Sequence, residues 1–377
     1  MKCISLMSGT SLDGIDGLLC DVTFENNNFK IKELDFVNIE YPKKLKEKLL
    51  KNINVLTSRV DEICELNFEL ANLATELVTI ILQKSKLSSQ QIDYIAMHGQ
   101  TMYHIPPNNQ FNQTPSTLQI ADPCVVSTKT KIKVVNNFRS ADIANGGQGA
   151  PLVPIADHFL FRDKNKLRIM VNIGGISNFS VLDPNLSYCF GYDVGPGNVL
   201  IDLIANQYLQ LEFDPGGQNA AKGTLDEKVF KKIIEHDFFQ QAAPKSTGRE
   251  LFNLEFINQY FDLKSQKVVD ILNTCTQVTA AVIATEALKF YNTKFQCELI
   301  ICGGGAYNAF LVKQIEERLN NKFIVKTLEE IGFNAKSKEC VAFAILGYLS
   351  INDIKINIKK TTGGIGAVVL GSISKNY

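Results

Sequence analysis

The chain has 377 residues, of which 45% are hydrophobic and 21% are charged. This length predicts about two domains. The balance of 39 basic and 39 acidic residues provides no bulk attraction to nucleic acid or to an anionic membrane. Neither a signal sequence nor a continuous apolar run of about 18 residues stands out, so we expect a cytoplasmic protein.

Apolar periodicity predicts an α/β domain in the first half. Three strands come first, KCISLM, IDGLLCDVTF and FKIKELDFVNIEY, and the turn SGTSLDG joins the first two. Leucines at three- and four-residue spacing predict helices within 42–86, and DYIAMHGQT predicts a strand that ends in a polar loop. KIKVVNN predicts a strand that enters a long loop at 138–154. Loops of that length are usually functional or disordered, and Arg139 and Asp142 favour function here.

The second half repeats this order. LRIMVNIGGISNFSVLD predicts a strand, a glycine turn and a second strand, and a helix is expected from near Gly197. Helices are predicted at 225–241, 254–262 and 268–291, followed by the strand, turn and helix of CELIICGGGAYNAFLVKQIEERL. SKECVAFAILGYL predicts an apolar helix, and TTGGIGAVVLG closes the chain. We therefore predict one domain at 1–140, completed by 340–377, and another at 141–339.

Three glycine-rich turns each follow an apolar strand, SGTSLDG at 8–14, DVGPGN at 193–198 and CGGGAYN at 302–308. Glycine permits positive φ and lets backbone N–H groups approach phosphate oxygens. The last two turns precede helices, whose N-termini favour anions. One such turn alone is better explained as purely structural, but three in this order predict phosphate binding. The familiar G-x-x-x-x-G-K-[ST] and G-x-G-x-x-G motifs are absent, so ATP binding requires another architecture.

Eight motifs resemble those of one family within the sugar kinase, Hsp70 and actin superfamily, the anhydro-N-acetylmuramic acid kinases. They span essentially the whole chain: MSGTSLDGID (7–16), HGQTMYH (98–104), FRSADIANGGQGAPLVP (138–154), NIGGISN (172–178), DVGPGN (193–198), STGRELFN (246–253), CGGGAYN (302–308) and ECVAFA (339–344). The resemblance implies two similar α/β domains of the actin/hexokinase-like (ribonuclease H-like) type, with an interdomain ATP cleft. It also implies a homodimer.

The same resemblance implies a reaction that phosphorylates 1,6-anhydro-N-acetylmuramic acid on O6 with ATP and hydrolyses the anhydro bridge in the same event. O6 is an ether oxygen with no proton to lose, so a water must attack C1 while O6 takes the γ-phosphoryl group. One carboxylate must activate that water, as in an inverting glycosidase. Asp193 is the candidate base, and the resemblance agrees. The structural alternative is an aspartate that caps a turn.

The remaining site residues follow from this chemistry and from the resemblance. Arg139 suits the lactyl carboxylate of the sugar, because guanidinium binds carboxylate in a bidentate way. Asp142 either accepts hydroxyl hydrogen bonds or orients Arg139. Asp13 is the candidate that holds Mg²⁺ through water. We further expect ATP and phosphate contacts from Gly9, Thr10, Ser11, Leu12, Asp13, Gly14, Ile15, Asp16, Gly195, Gly197, Asn198, Gly303, Gly304, Gly305 and Asn308, and sugar contacts from Gln100, Thr101 and Glu339.

Two of the acidic residues also have a purely structural explanation. Glu339 could simply be placed favourably near a helix N-terminus, and Asp202 is expected to be a solvated or capping residue of the helix after Gly197. Three rival functions also stay open. One is an ordinary hexose or amino-sugar kinase, in which Asp193 deprotonates a free hydroxyl, and another is a nucleotide sensor without turnover. A redox or metal enzyme is the weakest, because the nine cysteines form no C-x-x-C pair.

Overall fold

The computed structural model describes the chain except for residues 10–11, 108–112, 186–189, 244, 249 and 376–377. The chain folds into two compact units, which we call unit 1 (Met1–Leu160 with Lys336–Tyr377) and unit 2 (Phe161–Ala335). Residues 141–160 and 336–339, assigned to the second domain from sequence, therefore group with unit 1.

Hydrogen bonds explain why the loop after residue 140 belongs to unit 1. The backbone N–H of Gln148 donates to the Thr362 carbonyl over 2.8 Å. The Thr362 hydroxyl in turn donates to Asp142 Oδ1 over 2.7 Å. The loop is thus bound to the C-terminal segment, which sequence periodicity near residue 140 does not reveal.

Both units contain strands and helices. Unit 1 begins with β1 Lys2–Met7, β2 Gly14–Glu25, β3 Asn28–Glu40, α1 Lys43–Ile53, α2 Val60–Ser85, β4 Tyr94–Met97, β5 Gln100–Ile105, β6 Ser116–Ile120, α3 Pro123–Thr130, β7 Val134–Asn136, α4 Phe138–Ala144 and α5 Val153–Phe161. Unit 2 contains β8 Lys166–Ile173, β9 Ile176–Leu182, β10 Phe190–Pro196, α6 Val199–Leu209, α7 Glu227–Ile234, α8 Asp237–Gln240, α9 Leu254–Tyr260, α10 Val268–Leu288, β11 Gln296–Cys302, α11 Ala309–Leu319 and β12 Ile324–Thr327. Unit 1 resumes with α12 Lys338–Ile351, β13 Ile356–Asn357, β14 Ala367–Val368 and β15 Ser372–Ser374.

The main sheets of the two units share one strand order. In unit 1 the order is β15-β7-β4-β1-β2-β3, with β2 antiparallel to both neighbours and β1, β4 and β7 parallel. In unit 2 the order is β10-β9-β8-β11-β12, with β9 antiparallel to both neighbours and β8, β11 and β12 parallel. The hairpin β1–β2 therefore corresponds to the hairpin β8–β9. This repeat confirms the prediction of two similar α/β domains.

Each unit has a long apolar helix in its core. In unit 1, α12 approaches β4 closely at Gly347, where a Cβ atom would lie 2.8 Å from the Tyr94 ring. In unit 2, α10 is long and apolar enough to cross a membrane by composition alone. Nearly all of its residues from Ile271 to Ala287 are buried inside the unit, so it is a core helix.

Two predicted elements differ from the structure. The expected loop at 138–154 begins with α4, in which only Phe138 and Asp142 are buried, so no apolar repeat marked it as a helix. The single helix expected at 225–241 is divided into α7 and α8. The second helix starts anew because the His236 side chain accepts a hydrogen bond from the backbone N–H of Phe238 over 3.2 Å.

Candidate active site

Asp193 lies near the end of β10, where the strand leaves its regular pairing. It is opposite Asn178 of β9, and the register shifts between Asp193 and Gly195. Its Oδ2 accepts two hydrogen bonds, from the Ser246 hydroxyl at 2.8 Å and from the Thr247 backbone N–H at 3.1 Å. No described residue donates to Oδ1, so one carboxylate oxygen is held and the other can take a water.

Opposing influences act on the pKa of the half-buried Asp193 carboxyl. Burial raises the pKa most strongly, and the negative charge of Glu250 raises it further. The hydrogen bonds from Ser246 and Thr247 stabilise the ionised form and act in the opposite direction. The net result is a raised pKa, which makes this carboxylate a stronger base than a solvated aspartate.

The turn after Asp193 is bound to the turn between β8 and β9. The backbone N–H groups of Gly197 and Asn198 donate to the Gly175 and Gly174 carbonyls, each over 2.8 Å. A Cβ atom at Gly197 would lie only 2.3 Å from the Gly174 oxygen. The sequence predicted that this glycine admits a phosphate to the backbone. In the structure its N–H is already used, and the missing Cβ lets the two turns meet.

Gly195 has a packing role of its own. Its φ is +153°, and a Cβ atom there would lie 2.8 Å from the Phe239 ring. Both the backbone conformation and the lack of space therefore favour glycine at this position. The predicted phosphate contact of Gly195 stays a prediction.

Sequence reasoning missed Gly174 and Gly175 as candidate phosphate-binding residues. Their turn occupies the place in unit 2 that the turn at 8–13 occupies in unit 1, because both join the first two strands of the same sheet order. The repeated pattern of strand, glycine turn and strand in NIGGISN was the signal that could have identified them.

Three turns of unit 2 meet at one edge of its sheet. β8, β10 and β11 run in the same direction, so their C-terminal ends lie together. A Cβ atom at Gly303 would lie 2.6 Å from Asn172 Oδ1, and one at Gly305 would lie 2.3 Å from Ile173 Cγ2. Ligands of open α/β sheets bind outside this carboxyl edge. The predicted turns at 193–198 and 302–308 thus lie at one edge of the sheet with the turn at 172–176.

A cavity of about 420 Å³ opens beside these turns. Asn198, Gly304 and Asn308, three predicted nucleotide contacts, line it together with Asp202 of α6. The sequence predicted only a solvated or capping role for Asp202. Asn308 Oδ1 accepts a hydrogen bond from the Leu311 backbone N–H over 3.0 Å, which caps α11. Its acceptor is thus used within the protein.

The first hairpin turn holds several of the predicted phosphate contacts. Thr10 and Ser11 lie outside the described residues. Leu12 has a φ of 57°, which is uncommon for a residue other than glycine, and its side chain is buried. Ile15 is buried in the core. Gly14 is required sterically, because a Cβ atom there would lie 2.3 Å from the Ile39 carbonyl oxygen.

Two carboxylates, the type of oxygen ligand that Mg²⁺ prefers, flank this turn. Asp13 is mostly exposed and accepts a hydrogen bond from Lys46 Nζ over 3.1 Å. Asp16 accepts one from Asn38 Nδ2 over 2.8 Å, and burial raises the pKa of its carboxyl. Among the described residues no cluster of three or more His, Cys, Asp or Glu side chains is formed. Mg²⁺ in phosphate-transfer sites needs only one or two carboxylates besides the phosphates, so either aspartate suffices.

Arg139 is held in unit 1 by a buried histidine. Its Nε donates to His98 Nε2 over 2.9 Å, and its Nη1 donates to the Gly149 carbonyl over 2.8 Å. His98 Nε2 is therefore an acceptor, and Nδ1 donates to the Gly99 carbonyl over 2.7 Å. Burial and the charge of Arg139 lower the pKa of His98 to about 3. The imidazole is neutral, and no described residue accepts a hydrogen bond from Arg139 Nη2.

Both carboxylate oxygens of Asp142 accept hydrogen bonds from within unit 1. Asp142 is fully buried, and its Oδ2 and Oδ1 accept hydrogen bonds from the Gly149 backbone N–H at 2.6 Å and from the Thr362 hydroxyl at 2.7 Å. Its role is to shape the loop whose Gly149 carbonyl holds Arg139. This supports the alternative in which Asp142 orients Arg139, and a sugar contact of Asp142 stays a prediction.

Glu339 lies in the first turn of α12. Its side chain reaches solvent but is closely surrounded by protein, and this burial raises the pKa of its carboxyl. The positive charges of Lys338 and Arg139 act in the opposite direction, but burial is the larger influence and the pKa stays raised. The structure thus brings Glu339 into the electrostatic neighbourhood of Arg139.

Gln100 and Thr101 are the last predicted sugar contacts. Gln100 is buried and connects β5 with the first turn, since its Nε2 donates to the Gly9 carbonyl over 3.1 Å and its Oε1 accepts from the Tyr41 hydroxyl over 3.2 Å. Thr101 Oγ1 accepts a hydrogen bond from Gln119 over 3.3 Å. Gln100 is engaged within unit 1 and supports the hairpin turn.

Comparison with known proteins gives one family. Residues 1–376 match the family model described as anhydro-N-acetylmuramic acid kinase. Proteins of that name from Clostridioides difficile (strain 630) and Francisella tularensis subsp. novicida (strain U112) are 38% and 37% identical, each over 99% of this chain and 98% of the relative. The relative from Bacillus cereus (strain ZK / E33L) is 36% identical over 99% of both chains.

Solved structures show more distant similarity. Component A of (R)-2-hydroxyglutaryl-CoA dehydratase from Acidaminococcus fermentans has a TM-score of 0.44 at 12% identity, over 92% of this chain and 96% of the other. Hexokinase from Schistosoma mansoni complexed with glucose has a TM-score of 0.43 at 10% identity, over 91% and 85%.

Proposed function

Because the chain belongs to the anhydro-N-acetylmuramic acid kinase family, we propose that it phosphorylates 1,6-anhydro-N-acetylmuramic acid on O6 with ATP while water opens the 1,6-anhydro ring. The product is N-acetylmuramic acid 6-phosphate, and the reaction serves the recycling of peptidoglycan sugars. The protein acts in the cytoplasm, where ATP is available.

The environment of Asp193 carries the mechanistic part of the proposal. Water that attacks C1 must lose a proton, and Asp193 is the base that takes it. Its raised pKa gives the carboxylate the required basicity, while Ser246 and Thr247 hold Oδ2 and leave Oδ1 for the water. As the C1–O6 bond breaks, O6 captures the γ-phosphoryl group. A positioned base of this kind contributes on the order of 10²–10⁴-fold to the rate.

Unit 1 supplies the groups that recognise the sugar. Arg139 binds the lactyl carboxylate through Nη2, since its Nε and Nη1 are occupied by His98 and Gly149. A charged, buried guanidinium of fixed orientation favours a carboxylate over a hydroxyl at this position. Glu339 and Thr101 contact the sugar beside it.

The glycine-rich turns bind ATP. The turn at 8–14 and the turn containing Gly174 and Gly175 contact the phosphates, and the cavity beside Gly304 and Asn198 takes the adenosine. Asp13 would hold Mg²⁺ together with the phosphates, and a bound ion would supply positive charge beside the transferred phosphoryl group. We also propose that the protein is a homodimer, which sedimentation analysis would test.

Mass spectrometry of the product formed in ¹⁸O-water from the anhydro-sugar and Mg-ATP tests the proposal. We expect one phosphate and one ¹⁸O at C1, and no product from Asp193→Asn. Asp183→Asn, at a turn of the same sheet where Asp183 binds the Asn185 backbone N–H, is the matched control and keeps activity. A phosphorylated product with its bridge intact would contradict the mechanism. Phosphorylation of a free amino sugar alone would assign the protein to the ordinary sugar kinases.

A further inference from the structure

A buried carboxylate on α10 has no part in the mechanism above. Glu286 is only 4% exposed, and its Oε2 accepts a hydrogen bond from the Tyr192 hydroxyl over 3.1 Å. Its Oε1 accepts one from Lys245 Nζ over 3.0 Å, and the half-exposed Lys289 lies 2.9 Å from the same oxygen. Lys245 is itself only 8% exposed. Buried charges of this kind are retained only where each has a partner.

The two buried partners of Glu286, Tyr192 and Lys245, are adjacent in sequence to residues that form the hydrogen bonds of the Asp193 carboxylate. Tyr192 directly precedes Asp193 in β10, and alternation along a strand directs the two side chains to opposite faces. Lys245 directly precedes Ser246 and Thr247, the two donors to Asp193 Oδ2. The Lys245 carbonyl also accepts the backbone N–H of Asp193 over 2.9 Å.

The Glu286 carboxylate therefore binds both β10, which carries Asp193, and the segment 245–247, which carries the two donors to Asp193. We propose that Glu286, acting through Lys245 and Tyr192, is a positioning residue that keeps Ser246 and Thr247 bound to Asp193. The proposal rests on the proposed role of Asp193 as the base. Further contacts fix the ammonium group of Lys245, which lies 4.9 Å from the centre of the Phe238 ring and donates to the Phe238 carbonyl over 3.3 Å.

The contacts of Glu286 with Lys245 and Tyr192, which we call the clamp, affect the pKa of Asp193. Ser246 and Thr247 lower the pKa of Asp193, whereas burial and the Glu250 charge raise it. Without the clamp, Ser246 and Thr247 shift out of hydrogen-bonding distance of Asp193 Oδ2, while the carboxyl stays buried on β10. Burial then acts without the two donors that oppose it, and the pKa of Asp193 rises. The base is then protonated up to a higher pH. The other charged and titratable groups around the clamp, Lys245, Lys289 and Tyr192, face Glu286.

Lys245→Met tests this inference, because it removes the charge and retains most of the side-chain volume. Lys289 still pairs with Glu286, so the variant retains a cation beside the buried carboxylate. We expect the acid limb of the kcat/KM profile and the pKa of Asp193 to rise together by about one unit, the size of one hydrogen bond to a charged group. The pKa is read by ¹³C NMR of aspartate-labelled full-length protein, with Asp193→Asn identifying the signal.

Three further variants sharpen the test. Lys245→Arg keeps the charge and restores the normal profile. Tyr192→Phe removes only a hydroxyl and gives a smaller shift in the same direction, which keeps the inference testable if Lys245→Met does not fold. Lys166→Met is the matched control, because Lys166 pairs with the buried Glu298 over 2.7 Å elsewhere in unit 2. It leaves both measurements at their original values.

A folded Lys245→Met protein with an unchanged Asp193 pKa would overturn the inference, as would an equal shift in Lys166→Met. Failure of the proposed function is distinguished by Asp193→Asn. If Asp193→Asn converts the anhydro-sugar at the normal rate, Asp193 is not the base. The NMR titration of the other variants still decides whether Glu286 and Lys245 position the Asp193 carboxylate.

Discussion

The guanidinium of Arg139 donates from Nε to Nε2 of His98 over 2.9 Å, and this contact determines the state of both side chains. The histidine must present an unprotonated Nε2, and its pKa of about 3 keeps it neutral throughout the physiological range. Burial lowers the pKa of Arg139 to about 10, so the guanidinium stays charged at neutral pH. A neutral histidine thus orients the cation without adding a second positive charge beside it.

We expect His98→Leu to raise the KM for 1,6-anhydro-N-acetylmuramic acid by about tenfold or more, with a small effect on kcat. The variant removes a hydrogen bond to a charged group, which is worth about 1.5–3 kcal/mol, and Arg139 loses its orientation. Steady-state kinetics with the natural sugar and with 1,6-anhydro-N-acetylglucosamine, which lacks the lactyl carboxylate, provide the measurement. Only the first sugar should respond.

The matched control for this prediction is His104→Leu. His104 Nδ1 lies 3.0 Å from Thr117 Oγ1 in the same unit and makes no hydrogen bond to Arg139. Its KM should stay close to the original value. An equal loss of affinity for both sugars in His98→Leu would show that the histidine supports the fold rather than carboxylate recognition.

Ser246→Ala should move the acid limb of activity to higher pH by about one unit. Asp193, the proposed base, accepts a proton only when it is ionised, so we expect activity to be lost as the pH falls through its raised pKa. The Ser246 hydroxyl stabilises the ionised form, and its removal raises that pKa further. A kcat/KM profile against pH measures the shift.

Ser265→Ala offers a matched control for the pH profile, since the Ser265 hydroxyl donates to Asp262 over 2.6 Å elsewhere in unit 2. Its profile should coincide with that of the unchanged protein. If Ser246→Ala lowers the rate equally at every pH, the serine does not set the pKa of the base.

Gly197→Ala should destabilise unit 2 and weaken ATP binding. The added methyl would lie 2.3 Å from the Gly174 carbonyl oxygen, a backbone atom that can move only if the two turns separate. Overpacking of this kind costs about 1–3 kcal/mol. Thermal unfolding and ATP titration calorimetry measure the two effects. Gly366→Ala is the control, because nothing lies within 4 Å of its Cβ position. Equal behaviour of the two variants would refute the steric argument.

Asp13→Asn should raise the Mg²⁺ concentration needed for half-maximal activity, because it removes the carboxylate that we propose as a partner of the ion. Titration of activity with Mg²⁺ at fixed ATP measures the effect. Asp35→Asn, which removes a similar contact to Lys84 at 3.1 Å, is the control. An unchanged requirement in Asp13→Asn, with a raised one in Asp16→Asn, would transfer the role to Asp16.

Local patterns in the sequence were sufficient to predict that the chain contains two similar α/β domains. Strand, glycine turn and strand appear in both MSGTSLDGID and NIGGISN, because the close approach of backbone in a hairpin turn restricts the residue type there. The apolar helices α10 and α12 were likewise visible, since burial on all sides leaves few polar residues. Asp193 was proposed as the base from sequence because it begins the glycine turn DVGPGN and because the resemblance agrees.

The tertiary structure alone decided what the side chains around these motifs do. The sequence left two roles open for Asp142, and only the structure shows that its oxygens accept hydrogen bonds from the Gly149 backbone N–H and the distant Thr362 hydroxyl. Lys245 and Glu286 carried no local signal, because their partnership joins a loop to a helix. Sequence periodicity reports which face of an element is buried, but it does not report which element covers that face. Hydrogen bonds between distant segments depend on that second fact, so only the folded chain reveals them.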